Sequence, residues 1–279
     1  MSVSGYYRAL MSQRDGFEPE TIRFIDGVYP SAAVAYQTKL NTFLVDLKTG
    51  HSLTLGVDNI STIADAIYIH AFPSALGGSV PYLDNLVTAD IADRITVTTG
   101  SAVISADVGV GLNAKGSRAS HKSLSSFASV SSADDMALFS YLAEAEGLGV
   151  GVDAGFYGNF DATSSAYIAI TNNAGQLQAL TRLNTNTGGG ITANISAEVG
   201  AYSSERVGTT VTLYKDNVSI GSYVRASTAL SAGNFAVWNI IGLNDYGLLG
   251  KGGMNGIFKA SVLNRAVVKT AFETYKNSL

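Results

Sequence analysis

TTVTLYKDNVSIGSY, residues 209–223, alternates apolar and polar residues on both sides of a polar kink. Val211 and Leu213 fall on one face of an extended chain, and Thr210, Thr212 and Tyr214 on the other. Lys215-Asp216-Asn217 supplies a turn, because Asp and Asn tolerate the left-handed backbone of tight hairpins. A β-hairpin is expected here, and the neighbouring segments decide what holds it.

The period of two recurs on either side. Ile95 and Val97 alternate with Thr96 and Thr98, and Val103 and Ile104 follow. Residues 136–142, 166–170, 177–183, 235–243 and 256–263 complete a series of short strands separated by Gly, Asn and Ser turns. Such a series predicts a sandwich or barrel. NTNTGGG at 184–190 reads as a loop, and no linker divides the β region.

Before residue 94 the spacing is helical. Tyr36, Leu40, Phe43, Leu44 and Leu47, closed by Gly50, predict a helix over 32–48. Ile60, Ile63, Ala64, Ile67, Tyr68 and Ala71 predict a second helix, with Ser61 or Thr62 near its cap and Pro73 beyond its end. A closing helix starts at Asn264 and carries Val267, Val268, Ala271, Phe272 and Tyr275 on one stripe. Gly16, Pro19, Gly27 and Pro30 punctuate the N-terminus, which reads as an irregular arm with 21–25 extended. The expected organisation is an arm at 1–31, a helical lead-in at 32–93 and the β domain at 94–279.

Composition narrows the function. Of 279 residues, 46% are hydrophobic, enough for a core, while only 14% are charged against about 25% in an average domain. The net charge of −4 offers no basic stripe for phosphates, which excludes nucleic acid as the expected partner. Without cysteine there are no disulfides and no thiolate metal sites. MSVSGYYRALMSQRDGFEPE has no apolar core of a signal peptide, and no uncharged apolar run approaches the roughly 20 residues that span a bilayer. A soluble chain made in a cytoplasm, with no membrane insertion, is expected.

Several segments resemble a known family. YKDNVSIGSY (214–223) resembles the tyrosine–x–asparagine/aspartate–glycine–valine hairpin of concanavalin A-like, laminin G-like jelly rolls, with Val218 where that hairpin carries Gly. YQTKLNTFLVDLKTG (36–50) followed by IADAIYIHAF (63–72) resembles the helical lead-in of bacteriophage fibre-type proteins, without the Trp often seen there. VGVGLNAKGSRAS (108–120) is similar to their entry into the sandwich, and residues 237–279 to their last strands and closing helix. The resemblance covers roughly residues 34–279 and implies a mainly β, concanavalin A-like jelly-roll β-sandwich with an N-terminal arm, two lead-in helices and a closing helix.

It also implies a virion structural protein of a tail fibre, baseplate or capsid, made in the host cytoplasm. The arm would dock on other virion proteins through Tyr6, Tyr7, Phe17, Phe24 and Tyr29, and deleting residues 2–30 would leave a folded sandwich. Fibre analogy implies a homo-oligomer, with a trimer favoured. Three loops are expected to touch host-surface polysaccharide: Tyr214, Lys215, Asp216 and Asn217; Asn184 and Asn186; and Asn244, Asp245 and Tyr246. The alternatives are a free carbohydrate-binding module or lectin, and a fibre-borne polysaccharide depolymerase.

The catalytic inventory is thin. Glu144 and Glu146 share a strand face, as a glycosidase pair requires, yet the Glu-x-Asp-x-x-Glu pattern of glycosidases on this fold is missing. Asp134-Asp135 lacks the Asp-x-Asp-x-Asp loop of calcium sites, and Asp153 and Asp161 border the Gly-rich segment 147–161 without a following Gly-Lys-Ser/Thr. His51, His70 and His121 share no ligand spacing, no Gly-x-Ser-x-Gly occurs, and Trp238 reads as core. Asn59, Asn194 and Asn217 lie in glycosylation sequons, which carry no message for a phage protein made in bacteria. No enzymatic activity, no cofactor and no metal are expected.

Overall fold

The structure is a computed structural model that describes residues 15–28, 34–69, 82–90, 93, 95–99, 102–105, 109–112, 118–123, 135–145, 153–160, 164–173, 176–185, 191–194, 199–224, 234–237 and 250–279. In chain order the elements are α1 (Pro19–Val28), α2 (Val34–Gly50), a 3-10 turn (Ile60–Thr62), β1 (Ala64–Ile69), β2 (Tyr82–Leu83), β3 (Ile95–Thr99), β4 (Ala102–Ser105), β5 (Gly109–Leu112) and β6 (Arg118–Ser123). There follow β7 (Asp135–Ala145), β8 (Asp153–Phe160), β9 (Ser164–Asn173), β10 (Gln176–Thr185), β11 (Ile191–Asn194), β12 (Gly200–Val207), β13 (Thr210–Lys215), β14 (Val218–Val224), β15 (Asn234–Val237), β16 (Gly250–Phe258) and α3 (Arg265–Ser278). None of the described helices is long and apolar enough to cross a membrane.

The described strands form two eight-stranded antiparallel sheets. The first runs β14-β13-β12-β7-β16-β5-β4, with β1 beside β5 on the same edge of β16. The second runs β11-β10-β9-β8-β15-β6-β3-β2. Contacts of β7 with β8, of β12 with β9 and β10, and of β14 with β11 close the two sheets into a sandwich. The jelly-roll sandwich expected from the sequence is the fold found. Its opening hairpin is in place too: Val211 and Leu213 are fully buried, while Thr210 on the opposite face is exposed.

Helices cover the first sheet. On β7, Ala137, Phe139 and Tyr141 face them, and Met136, Leu138, Ser140 and Leu142 face the second sheet. All seven are buried, so β7 has two dry faces and no polar alternation. Tyr141 meets Phe272 of α3 at 4.9 Å between ring centroids, and Phe43 of α2 meets Tyr275 at 5.9 Å. Gly253 makes the approach of α3 possible, because a Cβ there would lie 2.7 Å from the Phe272 ring. Asn264 caps α3 as expected, its Oδ1 accepting from the Val267 amide at 3.4 Å.

Several expectations need correction. Residues 19–28 are helical, not an extended arm. Pro19 occupies the first helical position, Glu20 favours the positive end of the helix, and Thr21, Phe24 and Ile25 make one buried face. Phe24 is 3% exposed and therefore sits in the core rather than at a docking surface. Asn41 of α2 accepts from the Glu18 amide at 2.7 Å and from the Thr21 hydroxyl at 3.1 Å, so the start of α1 belongs to the fold. Deleting residues 2–30 would remove this buried face and strip Lys48 of both its carboxylate partners.

The second predicted helix is instead the 3-10 turn, capped by Asn59, and strand β1. Ala64, Ala66, Ile67, Tyr68 and Ile69 are all buried, and a strand buried on both faces shows no period of its own. Asn85 completes the free edge of β1: its Oδ1 accepts from the Ile67 amide at 3.1 Å and its Nδ2 donates to the Asp65 carbonyl at 3.1 Å. Because β1 pairs with β16 in the middle of the first sheet, the lead-in is no separate unit. The last strand ends at Phe258, not 263, because the Lys259 carbonyl accepts from the Val262 and Leu263 amides and turns the chain.

Candidate functional site

The hairpin turn was the first candidate for sugar contact. Cross-strand register puts Ser203, Glu205, Thr212 and Tyr214 on the helix side of the first sheet. Arg265, at the start of α3, reaches down to them. Its Nη1 donates to Glu205 Oε1 at 2.7 Å and Oε2 at 2.6 Å, and its guanidinium carbon lies 3.7 Å from the Tyr214 ring centroid. Burial pushes the Glu205 carboxyl above its ordinary value, with Arg265 and Ser203 opposing the shift.

Lys215 pairs with Val218, leaving a two-residue turn, Asp216-Asn217, with Asp216 at φ +54°. Asp216 Oδ1 accepts from the Ala201 amide at 3.2 Å, and the carboxylate meets Lys215 at 3.1 Å and Lys269 of α3 at 3.3 Å. Burial works against ionisation of Asp216, but the Lys215 hydrogen bond, the Ala201 amide and Lys269 outweigh it and hold the carboxyl below its usual value. Gly200, at φ +148°, leaves room for this carboxylate; a Cβ there would stand 2.8 Å from Oδ1. Tyr214, through Arg265, and Asp216, through Lys269, thus fasten the hairpin to the closing helix, while Lys215 braces Asp216; Asn217 alone of the four is exposed.

A second polar link joins α2 to α3. His51 Nδ1 lies 2.7 Å from the Leu47 carbonyl, and Nε2 accepts from the Asn264 amide at 3.0 Å. Both contacts are satisfied only by the neutral ring with its proton on Nδ1. Burial lowers the His51 pKa, and the Leu47 bond opposes that shift without cancelling it. A histidine with a lowered folded pKa contributes fully above its ordinary value of about 6.5, and the contribution is lost as pH falls through the lowered value. His51→Gln should therefore flatten the fall in melting temperature below about pH 6.5. Parallel profiles for the two proteins would contradict this role.

The second sheet places a different set of residues together. Register across β9 and β10 pairs Ser165 with Asn184, Tyr167 with Arg182, Ala169 with Leu180, Thr171 with Gln178 and Asn173 with Gln176. Asp153 of β8 and Asn194 of β11 extend the Thr171–Gln178 row. All of these share one face. The other face carries Ile168, Ile170, Leu177, Ala179, Leu183 and Ile191 together with Ser164, Asn172, Thr181 and Thr185, and is the more apolar of the two, as a face that a sandwich closes on should be.

Of the candidates named from sequence, Asn184 belongs to the polar face. Asn186, Asn244, Asp245 and Tyr246 lie outside the described residues, as do Tyr6, Tyr7, Tyr29, Trp238, His70, Asp134 and Asp161. Phe17 is half-buried. Glu144 lies on β7 opposite Lys251, while Glu146 is outside the described residues. The polar face itself was missed, although alternation in 164–173 and 176–185 signals it once the two strands are aligned.

No family model matches the chain, and no curated protein matches it. Solved structures do. A Trypanosoma rangeli sialidase in complex with 2,3-difluorosialic acid (covalent intermediate) is similar at a TM-score of 0.51 and 10% identity, over 85% of this chain and 38% of that one. The sialidase with sialic acid gives a TM-score of 0.50 at 10% identity, and with the inhibitor DANA 0.50 at 12%, each with the same coverage. This chain thus spans 38% of the length of those sialidase chains, and the likeness establishes a shared fold. It overturns the expectation that the chain is not an enzyme. The sandwich is one that those sialidase chains contain.

Proposed function

We propose that this chain binds carbohydrate on the polar face of its second sheet. The register that gathers Tyr167, Thr171, Gln178, Asn184 and Asn194 on one face, with Ile168, Ile170 and Leu183 on the other, carries the reading. Sugar hydroxyls both donate and accept, and amide and hydroxyl side chains answer both needs, while an aromatic residue supplies apolar area for a ring. The likeness to sialidase chains solved with sialic acid supports the same class of ligand. An extended sheet face suits weak binding of single sites, strengthened by many copies.

The test is a glycan array followed by calorimetry on a bound oligosaccharide. Tyr167→Ala with Gln178→Ala should weaken binding about tenfold or more, as expected for loss of a stacking and a hydrogen-bonding partner, with little change in melting. No bound glycan, or unchanged affinity in the double variant, would overturn the proposal. Analysis of the sugar after incubation reports any hydrolysis.

The resemblance to bacteriophage fibre-type proteins supports display of this sandwich on a virion, bound to other virion proteins and assembled as a homo-oligomer. Immunogold labelling of particles tests the location, and sedimentation tests the trimer. A chain absent from particles would be a free lectin.

A further inference from the structure

The first turn of α3 is gripped from two sides at consecutive residues. His51, just past the end of α2, accepts from the Asn264 amide through Nε2 at 3.0 Å, while its Nδ1 meets the Leu47 carbonyl at 2.7 Å. Arg265 reaches the other way, to Glu205 of β12, with Nη1 2.7 and 2.6 Å from the two carboxylate oxygens. The Arg265 Nε is buried and makes no hydrogen bond among the described residues, so Glu205 and the Tyr214 ring hold the guanidinium. Asn264 is also the cap of the helix: its Oδ1 accepts from the Val267 amide and its carbonyl from the Val268 amide. What holds residues 264 and 265 thus holds the start of α3 and, through Tyr214, one side of the β13–β14 hairpin.

Each grip works in one protonation state. A second proton on His51 would turn Nε2 into a donor facing the donor of Asn264. A proton on Glu205 would remove the charge that makes its contact with the guanidinium strong. A cavity of about 440 Å3 borders the turn, lined in part by Asp46, Gly50, Asn264, Ala266, Val267 and Thr270, so the turn has room to move. Charged neighbours are few. Asp46 lines the cavity, and among the described residues no charged group shifts His51. Glu205 faces Thr212 and Ala137 across its own sheet and Arg265 from α3, while Lys269 is taken up by Asp216 and Glu273. Burial lowers the His51 pKa from its ordinary value of about 6.5 and raises that of Glu205 from about 4.3, which brings the two titrations toward each other. Their signs differ for the whole fold. Support from His51 is complete above its ordinary pKa and lost as pH falls through the lowered one. A raised carboxyl pKa means that the fold favours the protonated form, so acid exacts no global penalty through Glu205. The opening that results is local.

We propose that the first turn of α3 is an acid-released latch, freed when His51 and Glu205 both take up protons, and that its release loosens the β13–β14 hairpin. Amide hydrogen exchange on the full chain at about pH 7.5 and about pH 5, corrected for intrinsic rates, tests it. Protection at Val267 and Val268 should fall about tenfold or more between the two conditions, and along β7 less than about twofold. Glutamine at position 51 can donate to Leu47 and accept from Asn264 without titrating, so His51→Gln should remove most of the acid loss. Glu205→Gln should produce part of that loss already at about pH 7.5. If either variant fails to fold, NMR titration of the His51 ring in the unaltered chain decides, because its midpoint should match that of the loss of protection. Equal protection in both conditions, or a loss shared by β7, overturns the latch. So does a loss that survives His51→Gln, full protection at neutral pH in Glu205→Gln, or a His51 midpoint more than about one pH unit away.

Discussion

Replacing Lys48 with methionine is expected to destabilise the protein by about 3–5 kcal/mol, the range for removing one partner of a buried ion pair. Lys48 Nζ donates to Glu18 Oε2 at 2.6 Å and to Glu20 Oε2 at 2.8 Å, with all three side chains no more than 4% exposed. The carboxylates also hold backbone. Glu20 Oε1 accepts from the Ile60 amide at 2.9 Å, and Glu18 from the Gly56 amide at 3.1 Å. Methionine would fill most of the space and leave two negative groups in the interior without a cation.

The loss should be pH-dependent. Burial resists ionisation of Glu20, but Lys48 and the Ile60 amide outweigh it and hold the carboxyl below its ordinary value. A lowered carboxyl pKa stabilises fully above the unfolded value, and the benefit is lost as pH falls through the folded one. Urea unfolding at pH 7 and at pH 3–4 should show the Lys48→Met deficit shrinking in acid. A deficit under about 1 kcal/mol at pH 7 would mean that the cluster behaves like a surface pair.

Phe272→Ala is expected to cost a further 3–5 kcal/mol, roughly the penalty for emptying a packed aromatic site. Phe272 is fully buried between Tyr141, at 4.9 Å, and Tyr275, at 6.2 Å, above the gap that Gly253 leaves in β16. Neither tyrosine can move into the space freely, because the Tyr141 hydroxyl donates to Glu273 at 3.0 Å and the Tyr275 ring is held against Phe43. Hydrogen exchange should accelerate first along α3. Uniform acceleration across both sheets, with α3 no faster than β7, would show that the closing helix is not a separate layer.

What the sequence disclosed follows from which segments have one wet face. The hairpin at 210–224 and the helix from Asn264 each bury one side, so their periods were legible and their boundaries nearly right. β1 and β7 are dry on both sides; in β1 the apolar run mimicked helical spacing. Residues 19–28 misled for another reason. Their Pro and Gly suggested a loop, while the partners that make α1 a buried helix, Asn41 and Lys48, lie far along the chain. The turn at Asp216 was recognised as a turn, but its ion pair with Lys269 depends on tertiary contact and was invisible. The polar face of the second sheet needs the register of β9 against β10, and a single strand's alternation does not provide it.

The most direct measurement of the central claim is the position of a bound sugar. Crystals soaked with an oligosaccharide that the array identifies should show it lying across β9 and β10, over Tyr167 and toward Gln178. Sugar at the Asp216-Asn217 turn, or on the helix-covered first sheet, would contradict the account.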